Sequence, residues 1–323
     1  MERVSARPPA TDLVLPHPRH KERLGQQAKS EERLFYVIIS LWGFGFLLFS
    51  LGPLLASIFF SFNFYDVIRP PRWRGLGNYS ALLVDPLFWQ ALKVTSLYSL
   101  GGVGLGMVAS LATALLLNRK IHGMNWFRTL FYLPAVISGV AVSLLWMWIF
   151  NPDIGLLNDL LWSLFHIKGP GWIYVEAWAL PSLVIMSLWG VGGSVVIYLA
   201  SLQGIPTELY EAAEIDGAGA WKRLLMITLP MMSPVILFNL IMGIIGSFQV
   251  FTQAYVMTQG GPHNATLFYV LDLYRYAFQY FQLGYASALA WVLFLILLAL
   301  TLLVLRSATA WVYYEEPAAK KEG

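Results

Sequence analysis

The chain has 323 residues, of which 58% are hydrophobic and only 12% are charged, with a formal net charge of +3. So few charged side chains cannot cover the surface of a soluble globule, and the composition therefore indicates a membrane protein. The chain contains no Cys, which excludes disulfides, thiolate metal sites and cysteine nucleophiles.

Six long stretches contain no Asp, Glu, Lys or Arg, and each can hold a helix of about 20 residues, roughly the thickness of the hydrocarbon layer. They lack the alternation of barrel strands, and lipid requires every backbone polar group to be paired internally, so helices are expected. We predict an all-α integral membrane fold with six transmembrane helices, the fifth beginning near Met231. The stretches are Leu34–Tyr65, Val94–Asn118, Thr129–Pro152, Ala177–Thr207, Leu224–Leu271 and Tyr276–Leu305.

The domain organisation follows from these stretches. Residues 1–33 are rich in Pro, Arg and Lys, which is typical of a disordered polar tail, and no cleavable signal peptide is expected there. Residues 34–308 form the transmembrane domain, with a long polar connection at 205–230. Residues 309–323 form a second polar tail.

The distribution of basic residues predicts the orientation. Of the 21 Lys and Arg residues, 15 lie in the N-terminal tail, the connection Arg119–Arg128, the connection Ile205–Pro230 and the C-terminal end. The positive-inside rule therefore places both termini in the cytoplasm. This bias explains the net charge better than nucleic-acid binding does, because no basic stripe is interleaved with exposed aromatics.

The sequence shows no pattern that is typical of a catalytic or metal site. The five His residues lie mostly in tails and connections without ligand spacing, and no phosphate-binding loop with Gly-Lys-Ser/Thr is present. The segment "GGVGLG", Gly101–Gly106, lies inside an apolar stretch, so we interpret it as close helix packing. An intramembrane enzyme would need paired acids, His or nucleophiles at matching depth, and none is visible.

The predicted spans also carry no ionisable side chain away from their ends. Proton- and sodium-coupled carriers commonly keep such groups at membrane depth. If the chain moves a solute uphill, the energy is therefore expected to enter from another subunit. A secondary transporter or channel without an ATPase has the same hydropathy and stays open as the alternative.

The stretch "YEAAEIDGAGAWKRLLMITLP", Tyr210–Pro230, predicts a helix-turn-helix on the cytoplasmic face. Thr207 is the expected N-cap, with Glu208 in the first turn, where the helix dipole favours a negative charge. This helix should end at Ile215. Gly217 and Gly219 then permit a sharp reversal before a second helix, from Trp221 to Leu229.

On the first of these helices small and acidic side chains share one region. Leu209, Ala212 and Ala213 fall on one face, and Glu208, Glu211 and Glu214 lie beside it. Small side chains allow another surface to approach closely, and the carboxylates can bind its Arg or Lys residues. A docking surface is one interpretation, and an ordinary loop helix that lies on the protein's own cytoplasmic surface is the other.

The spacing of Glu211, Ala212, Ala213, Gly217, Ile227, Leu229 and Pro230 resembles the EAA loop of the membrane subunits of bacterial ABC importers. The resemblance implies a type I ABC importer permease fold, with this loop as a coupling helix that contacts an ATPase. It implies that the following residues serve ATPase coupling: Glu208, Glu211, Ala212, Ala213, Asp216, Gly217, Ile227, Leu229 and Pro230.

Three further segments resemble the sugar-importer branch of that family, and in particular its MalF-like (maltose) and UgpA-like (glycerol phosphate) subunits. They are "FRTLFYLPAVISGVAVSLLWMWIFNPDIGLLN" (Phe127–Asn158), "SFQVFTQAYVMTQGGP" (Ser247–Pro262) and "GYASALAWVLFLI" (Gly284–Ile296). Some maltose permeases carry additional N-terminal spans and a large insertion, whereas the connection Asn63–Trp89 is short here, so a compact six-span form is implied.

The resemblance also implies partners and location. The chain would form a heterodimer with a second permease in the bacterial plasma membrane, bind two ATPase subunits and receive a carbohydrate from an extracytoplasmic solute-binding protein. ATP and Mg would bind to the ATPase subunits, and this chain would bind no cofactor of its own.

The substrate path is expected on the fourth and fifth spans. A sugar requires side chains that bond to hydroxyls and aromatic faces that pack against its C–H surface. The alternative for each polar residue is hydrogen bonding across a helix contact, and for each aromatic residue an interfacial belt. The residues predicted for the path are Trp189, Gly190, Asn239, Ser247, Gln249, Phe251 and Gln253.

Overall fold

The computed structural model describes residues 26–119 and 121–313, and it is almost entirely helical there. The only strands in these ranges are β1 (Asn63–Phe64) and β2 (Arg72–Trp73), which pair antiparallel. The helices are α1 (Gln26–Phe46), α2 (Gly52–Ser61), α3 (Gly77–Val84), α4 (Pro86–Leu117), α5 (Met124–Val136), α6 (Gly139–Ile149), α7 (Leu156–Phe165), α8 (Glu176–Trp189), α9 (Gly192–Gln203), α10 (Thr207–Ile215), α11 (Ala220–Arg223), α12 (Leu229–Phe248), α13 (Tyr269–Tyr274) and α14 (Leu283–Ala308).

The chain divides into two units, residues 1–56 and 57–323. In the first unit α1 begins at Gln26, inside the segment predicted as a polar tail, and a π-helical turn, Leu47–Leu51, follows it. From residue 31 onward the side chains of α1 are largely exposed, as expected of a helix that faces lipid or another subunit. Residues 1–25 and 314–323, which hold most of the two predicted tails, lie outside the described ranges.

The predicted membrane spans are present, and two of them are broken. Four continuous helical runs are long and apolar enough to cross a membrane, and two bent helix pairs bring the number to as many as 6. The all-α membrane fold is thus confirmed. The pair α5 and α6 bends by 99°, and the pair α8 and α9 bends by 46°. The second break falls at Gly190, one of the residues predicted for the substrate path.

The fifth span both begins and ends earlier in the sequence than predicted. One helical run extends over Ala220–Phe248, so the helix expected from Trp221 to Leu229 is continuous with the span instead of separate from it. A π-helical turn, Leu224–Thr228, joins the two parts. The chain leaves the helix after Phe248, and the stretch up to α14 contains only short helical segments.

In the second unit α4 is the central helix and packs against α8, α9, α12 and α13. Gly102 and Gly106 lie where α4 contacts α8 and its break, because an ideal Cβ at Gly102 would lie 3.5 Å from Ser187 Oγ and one at Gly106 would lie 3.8 Å from Val191 Cγ1. Both are ordinary van der Waals distances, so the two glycines lie at a helix contact, as expected, but the contact does not require glycine. The same two glycines also leave space for a cavity.

Candidate functional sites

A cavity of about 350 Å³ lies between α4, α8, α9 and α12, and we call it the central cavity. Its volume lies at the lower end of the range of small-molecule sites. Small and polar residues make up most of its wall. The lining residues are Tyr98, Gly102, Val103, Gly106, Met107, Ser187, Gly190, Val191, Ser194, Asn239, Gly243, Gly246, Ser247 and Val250.

Most polar side chains of the central cavity are fixed by bonds to the protein. Ser247 Oγ lies 2.7 Å from Ser99 Oγ, and Asn239 Nδ2 donates to the Val235 carbonyl at 3.0 Å. Ser187 Oγ donates to the Val184 carbonyl at 2.7 Å. A hydroxyl that donates to the protein keeps lone pairs with which it can accept a bond from a ligand. The cavity therefore offers preoriented acceptors to a polar solute.

The structure brings three of the seven predicted path residues into this cavity, namely Gly190, Asn239 and Ser247. Trp189 lies next to it and forms an edge contact with Trp146, with ring centroids 6.1 Å apart. Both spans predicted for the path thus contribute to the wall of the central cavity, with only part of the predicted residues.

Of the other three predicted path residues, Gln253 lines a small cavity of about 20 Å³ that shares Tyr98, Ser187 and Val250 with the central cavity, and Gln249 and Phe251 line neither cavity. Gln249, Phe251 and Gln253 come after the end of α12, so they do not continue the helical face of Ser247. Gln249 is exposed, and the Phe251 ring packs 5.2 Å from the ring of Tyr255. The expectation that one helix presents all of these residues to the solute is wrong, because the helix ends at Phe248.

Sequence reasoning missed the contribution of α4 and the serines of the broken fourth span. Tyr98 is buried and comes from α4, and Ser187 and Ser194 lie on the two sides of the break. The one sequence signal for α4 is its run of glycines, which frees space at the helix surface. That signal is ambiguous, because helix packing and cavity formation both require small residues.

At one end of the second unit, α10 forms a short helix with the predicted boundaries, Thr207–Ile215. Pro206 is the N-cap in place of Thr207, and no side chain caps this end. At its C-terminal end α10 ends at Ile215, as predicted, and the chain turns at Gly217. Gly217 has φ +74°, and its N–H bonds to the Glu214 carbonyl at 3.0 Å while the Ala218 N–H bonds to the Ala213 carbonyl at 2.8 Å. These two bonds form a Schellman motif, which requires a left-handed residue.

The carboxylates of α10 are not equivalent. Glu214 Oε2 accepts a bond from Arg223 Nη1 at 3.2 Å and is therefore already paired within the chain. Within the described ranges, Glu208 and Glu211 make no ion pair, and both are exposed. Ala212 is exposed and Ala213 is half-buried. Glu211 and Ala212 thus remain free for another protein.

Two bonds connect α10 to the beginning of the fifth span. Tyr210 Oη lies 3.0 Å from Thr228 Oγ1, the last residue of the π-helical turn, and Glu214 pairs with Arg223, which immediately precedes this turn. Ile227 and Tyr210 both pack against the same buried cluster. Leu229 and Pro230, also predicted for coupling, form the first turn of α12. A force on α10 would therefore reach α12 directly.

Apolar residues that the sequence analysis did not single out extend this surface. Ile215 is 87% exposed and Trp221 is 77% exposed, on either side of the Gly217 turn. Large exposed apolar side chains at a loop end mark interaction surfaces. Asp216 occupies the C-cap position between α10 and the turn.

We expect Gly217→Val to disrupt the turn after α10 and Gly219→Val to leave it intact. Gly217 has φ +74°, which a β-branched residue adopts only with strain of about 1–3 kcal/mol. Gly219 has φ −66°, and no atom lies within 4 Å of an ideal Cβ there. The measurement is the amount of partner ATPase that co-purifies with each variant. Equal amounts of co-purified ATPase for Gly217→Val and Gly219→Val would contradict the expectation that the turn depends on Gly217 and not on Gly219.

At the opposite end of the same unit, Asp85 caps α4 and accepts three hydrogen bonds. Its Oδ2 accepts from Tyr285 Oη at 2.7 Å and from Tyr276 Oη at 2.8 Å, and its Oδ1 accepts from the Leu87 N–H at 2.9 Å. Burial raises the pKa of Asp85, but the bonds from Tyr285, Leu87 and Tyr276 outweigh it and lower the pKa below its ordinary value. Asp85 therefore stays ionised and links α4 to α14.

Asp272, on α13, is buried without a partner. It is 1% exposed, and within the described ranges neither carboxylate oxygen has a hydrogen-bond donor. Burial and the negative charge of Asp85 raise the pKa of Asp272 to about 7, against the opposing effect of Arg275. An uncompensated buried charge is costly, so the neutral acid is the favoured form.

We expect this buried acid to make the assembled protein less stable as pH rises. The folded chain holds the Asp272 proton up to about pH 7, whereas the unfolded chain releases it near its ordinary pKa of 3.8. The stabilisation of the folded chain by the neutral Asp272 carboxyl is complete below the ordinary pKa of 3.8 and disappears as pH rises to about 7. This contribution to the free energy of unfolding has an upper limit of about 4 kcal/mol.

The measurement is the midpoint of thermal unfolding of the purified complex at about pH 5 and about pH 8. The midpoint of the wild type should fall more over this interval than that of Asp272→Asn, which cannot ionise. Asp66→Asn is the control, because Asp66 is half-buried but is already paired with Arg69 at 3.9 Å. Equal pH dependence of the wild type and Asp272→Asn would contradict the assignment.

Comparison with known proteins shows which proteins this chain resembles. A probable ABC transporter permease protein, YesP, from Bacillus subtilis (strain 168) is 43% identical over 284 residues, which are 87% of this chain and 92% of that protein. The lactose transport system permease protein LacF from Rhizobium radiobacter is 36% identical over 79% of this chain and 87% of that protein. The multiple sugar-binding transport system permease protein MsmF from Streptococcus mutans is 32% identical over 81% of this chain and 93% of that protein.

The fold is also found in a solved structure. A chain in the crystal structure of a bacterial ABC transporter involved in the import of the acidic polysaccharide alginate matches with a TM-score of 0.76 and 22% identity. The match covers 88% of this chain and 98% of that chain. At this identity the likeness supports the fold, and the expectation of an ABC importer permease fold is confirmed.

The family model for the binding-protein-dependent transport system inner membrane component matches residues 102–312. This range contains α10, the Gly217 turn and most of the wall of the central cavity. The relatives are permease subunits, which are membrane components and not enzymes. The chain therefore belongs to the family of binding-protein-dependent transport system inner membrane components, the permease subunits of ABC transporters.

Proposed function

We propose that this chain is one of two membrane subunits of an ATP-driven importer and translocates a carbohydrate into the cytoplasm by alternating access. The observation that carries the proposal is the central cavity, whose wall combines Asn239, Ser187 and Ser247 with the Tyr98 ring. Hydroxyls and amides beside an aromatic ring are suited to a sugar. The names of relatives that transport lactose or multiple sugars support this substrate class.

The driving force would enter through α10. No nucleotide-binding motif occurs in the sequence, so ATP and Mg belong to two partner ATPase subunits. Glu208, Glu211, Ala212 and Ala213 form the surface that these subunits contact, and the bonds from Tyr210 and Glu214 transmit the motion to the fifth span. The broken helices beside the cavity are typical of transporters that alternate between two orientations.

The remaining partners follow from the family. A binding-protein-dependent system receives its solute from an extracytoplasmic binding protein, and a second permease completes the membrane path. The chain would lie in a bacterial plasma membrane with both termini in the cytoplasm, so α10 faces the cytoplasm and residues 151–175 and 249–282 face outward.

Reconstitution tests the proposal. The four membrane and ATPase subunits are inserted into vesicles, and the sugar is identified as the ligand that co-purifies with the binding protein. Uptake of that sugar should require both ATP and the binding protein. Uptake that persists without ATP would favour a secondary transporter or channel, and a ligand other than a carbohydrate would refute the substrate class.

We expect single-Cys labelling to place the loops that contain Asp159 and His263 on the outer side of the membrane and α10 on the cytoplasmic side. The chain has no Cys, so each introduced thiol is unique. An impermeant maleimide applied to spheroplasts should react with Asp159→Cys and His263→Cys, because both side chains are exposed on the proposed outer face. Ala212→Cys, on α10, should react only after permeabilisation. Reaction of His263→Cys only after permeabilisation would refute the proposed topology.

A further inference from the structure

A second polar cavity, which we call the outer cavity, lies at the end of the unit opposite α10. It measures about 370 Å³ and is formed by the end of α6, one face of α7 and the segment that follows α7. It shares no lining residue with the central cavity. The residues that line it are Trp148, Pro152, Asp153, Ile154, Leu156, Asn158, Asp159, Trp162, Lys168 and Gly169.

Asn158 and Asn151 hold the wall of the outer cavity in place. Asn158 Nδ2 donates to the Pro152 carbonyl at 3.0 Å, and Asn158 Oδ1 accepts from Trp172 Nε1 at 2.7 Å. Asn151 Oδ1 accepts from the backbone N–H groups of Asp153 and Ile154 at 2.9 and 3.0 Å. The loop is therefore preorganised, which lowers the entropic cost of binding a ligand.

The rim of the outer cavity carries groups that have no partner in the protein. In the described part of the chain, the side chains of Asp153, Asp159 and Lys168 make no ion pair and no hydrogen bond. Trp148 and Trp162 leave 49% and 58% of their surfaces exposed. The cavity thus presents two indoles, two free carboxylates and one free ammonium group to the outside.

This combination fits a carbohydrate better than a lipid headgroup or a flat protein surface. An indole face packs against the C–H surface of a sugar ring, carboxylates accept bonds from its hydroxyls and an ammonium group donates to them. Anionic headgroups are disfavoured because the carboxylates outnumber the single Lys168. A concave site of this volume also suits a small molecule, whereas protein partners meet over larger and flatter patches.

A continuous series of aromatic contacts extends from a residue beside the outer cavity to a residue beside the central cavity. The Trp172 ring, bonded to Asn158, lies 5.4 Å from the Phe150 ring, and Phe150 lies 4.9 Å from Trp146. Trp146 in turn lies 6.1 Å from Trp189, beside the central cavity. The two cavities therefore share one packed wall, although no lining residue is common to both.

We propose that the outer cavity is a carbohydrate-binding subsite at the entrance of the path, in which a sugar ring lies against Trp162 or Trp148 and bonds with Asp159 and Lys168. The proposal rests on the proposed function, because it assigns to the same solute a first contact on this chain. A subsite here would retain the sugar after the binding protein opens and before the sugar enters the central cavity.

The experiment measures sugar binding to the complete transporter in nanodiscs without its binding protein. Saturation-transfer NMR is recorded with maltotriose, lactose and raffinose as probes. Wild type should give saturation transfer to at least one probe. Trp162→Ala should weaken that binding about tenfold, which corresponds to about 1.4 kcal/mol, because it removes the indole face on which the sugar ring packs. Asp159→Asn should weaken it as well, and Trp162→Phe should restore most of it.

Two controls locate the signal. The measurements are repeated in a Gly246→Leu background, which fills the central cavity, so that the saturation transfer that remains arises outside that cavity. Trp126→Ala removes an exposed indole on α5, outside both cavities, and should leave the binding unchanged. No saturation transfer to any probe, or equal binding by wild type and Trp162→Ala, would overturn the proposal. So would a Trp162→Ala variant that binds the sugars normally but has lost affinity for the sugar-free binding protein, because the cavity would then be a protein contact.

The outcome is separable from that of the proposed function. Import of the ligand that co-purifies with the binding protein tests the substrate class in vesicles. Sugar import by a transporter whose outer cavity binds no probe overturns the subsite alone. Failure of ATP-dependent sugar import overturns the proposed function itself.

Discussion

Glu211→Lys is expected to release the ATPase subunits from the assembled transporter or to uncouple their ATP hydrolysis from transport. Glu211 is exposed on α10 and has no ion-pair partner in the described part of the chain, so a basic residue of the ATPase can bind it. Loss of one partner of a desolvated charge pair costs roughly 2–5 kcal/mol, and a reversed charge adds repulsion. The effect is large because α10 is the proposed route of the driving force.

Glu214→Gln is the matched control on the same helix. Glu214 is bonded to Arg223, and its side chain is 73% exposed. Pairs at this exposure contribute little to stability, so its loss should change ATPase attachment far less than Glu211→Lys does. The measurements are the ATPase bound per permease and the hydrolysis stimulated by the binding protein. Normal values of both in Glu211→Lys would exclude α10 as the coupling helix.

Gly246→Leu is expected to abolish most transport while the complex still assembles and hydrolyses ATP. Gly246 lines the central cavity, and no atom lies within 4 Å of an ideal Cβ there, so a leucine side chain would occupy the space of the solute. The loss of about 1.4–2.8 kcal/mol of solute binding corresponds to a loss of roughly tenfold to a hundredfold in uptake at limiting sugar. The helix itself should be undisturbed because the added atoms meet open space.

Two further substitutions distinguish a residue that lines the central cavity, Ser247, from a nearby residue that does not, Gln249. Ser247→Leu removes the hydroxyl that bonds to Ser99 at 2.7 Å, and it should weaken transport or change the sugar preference. Gln249→Leu should have little effect, because Gln249 is exposed and does not line the cavity. Transport is measured in vesicles, with assembly and basal hydrolysis as controls. A Gln249→Leu defect equal to that of Ser247→Leu would place the path along the loop after α12.

The sequence alone predicted the helical membrane fold and the form of α10. Lipid allows no unpaired backbone groups, so the charge-free stretches predict helices whatever their tertiary contacts are. The helix Thr207–Ile215 and the turn at Gly217 depend on local features, namely favourable first-turn charge and a residue that tolerates positive φ. Both were predicted correctly because no distant residue is needed to form them.

Only the tertiary structure decided which residues line the central cavity. The spans are apolar on nearly every side, so their sequences carry no strong periodic signal for the rotation of each helix. The addition of Tyr98 and the exclusion of Gln249 follow from that rotation and from the end of α12 at Phe248.

The bends of the third and fourth spans were equally beyond the reach of hydropathy. An interrupted helix is stable only where neighbouring helices or a polar cavity satisfy the backbone groups that the break frees, and a hydropathy profile contains no such information. The influence of Asp85 on Asp272 is likewise a property of the fold, because the acids lie on different helical elements and approach each other only when α4 and α13 pack together. Burial and packing, which act between distant parts of the chain, therefore shaped the site within a framework of helices that local sequence and lipid had already specified.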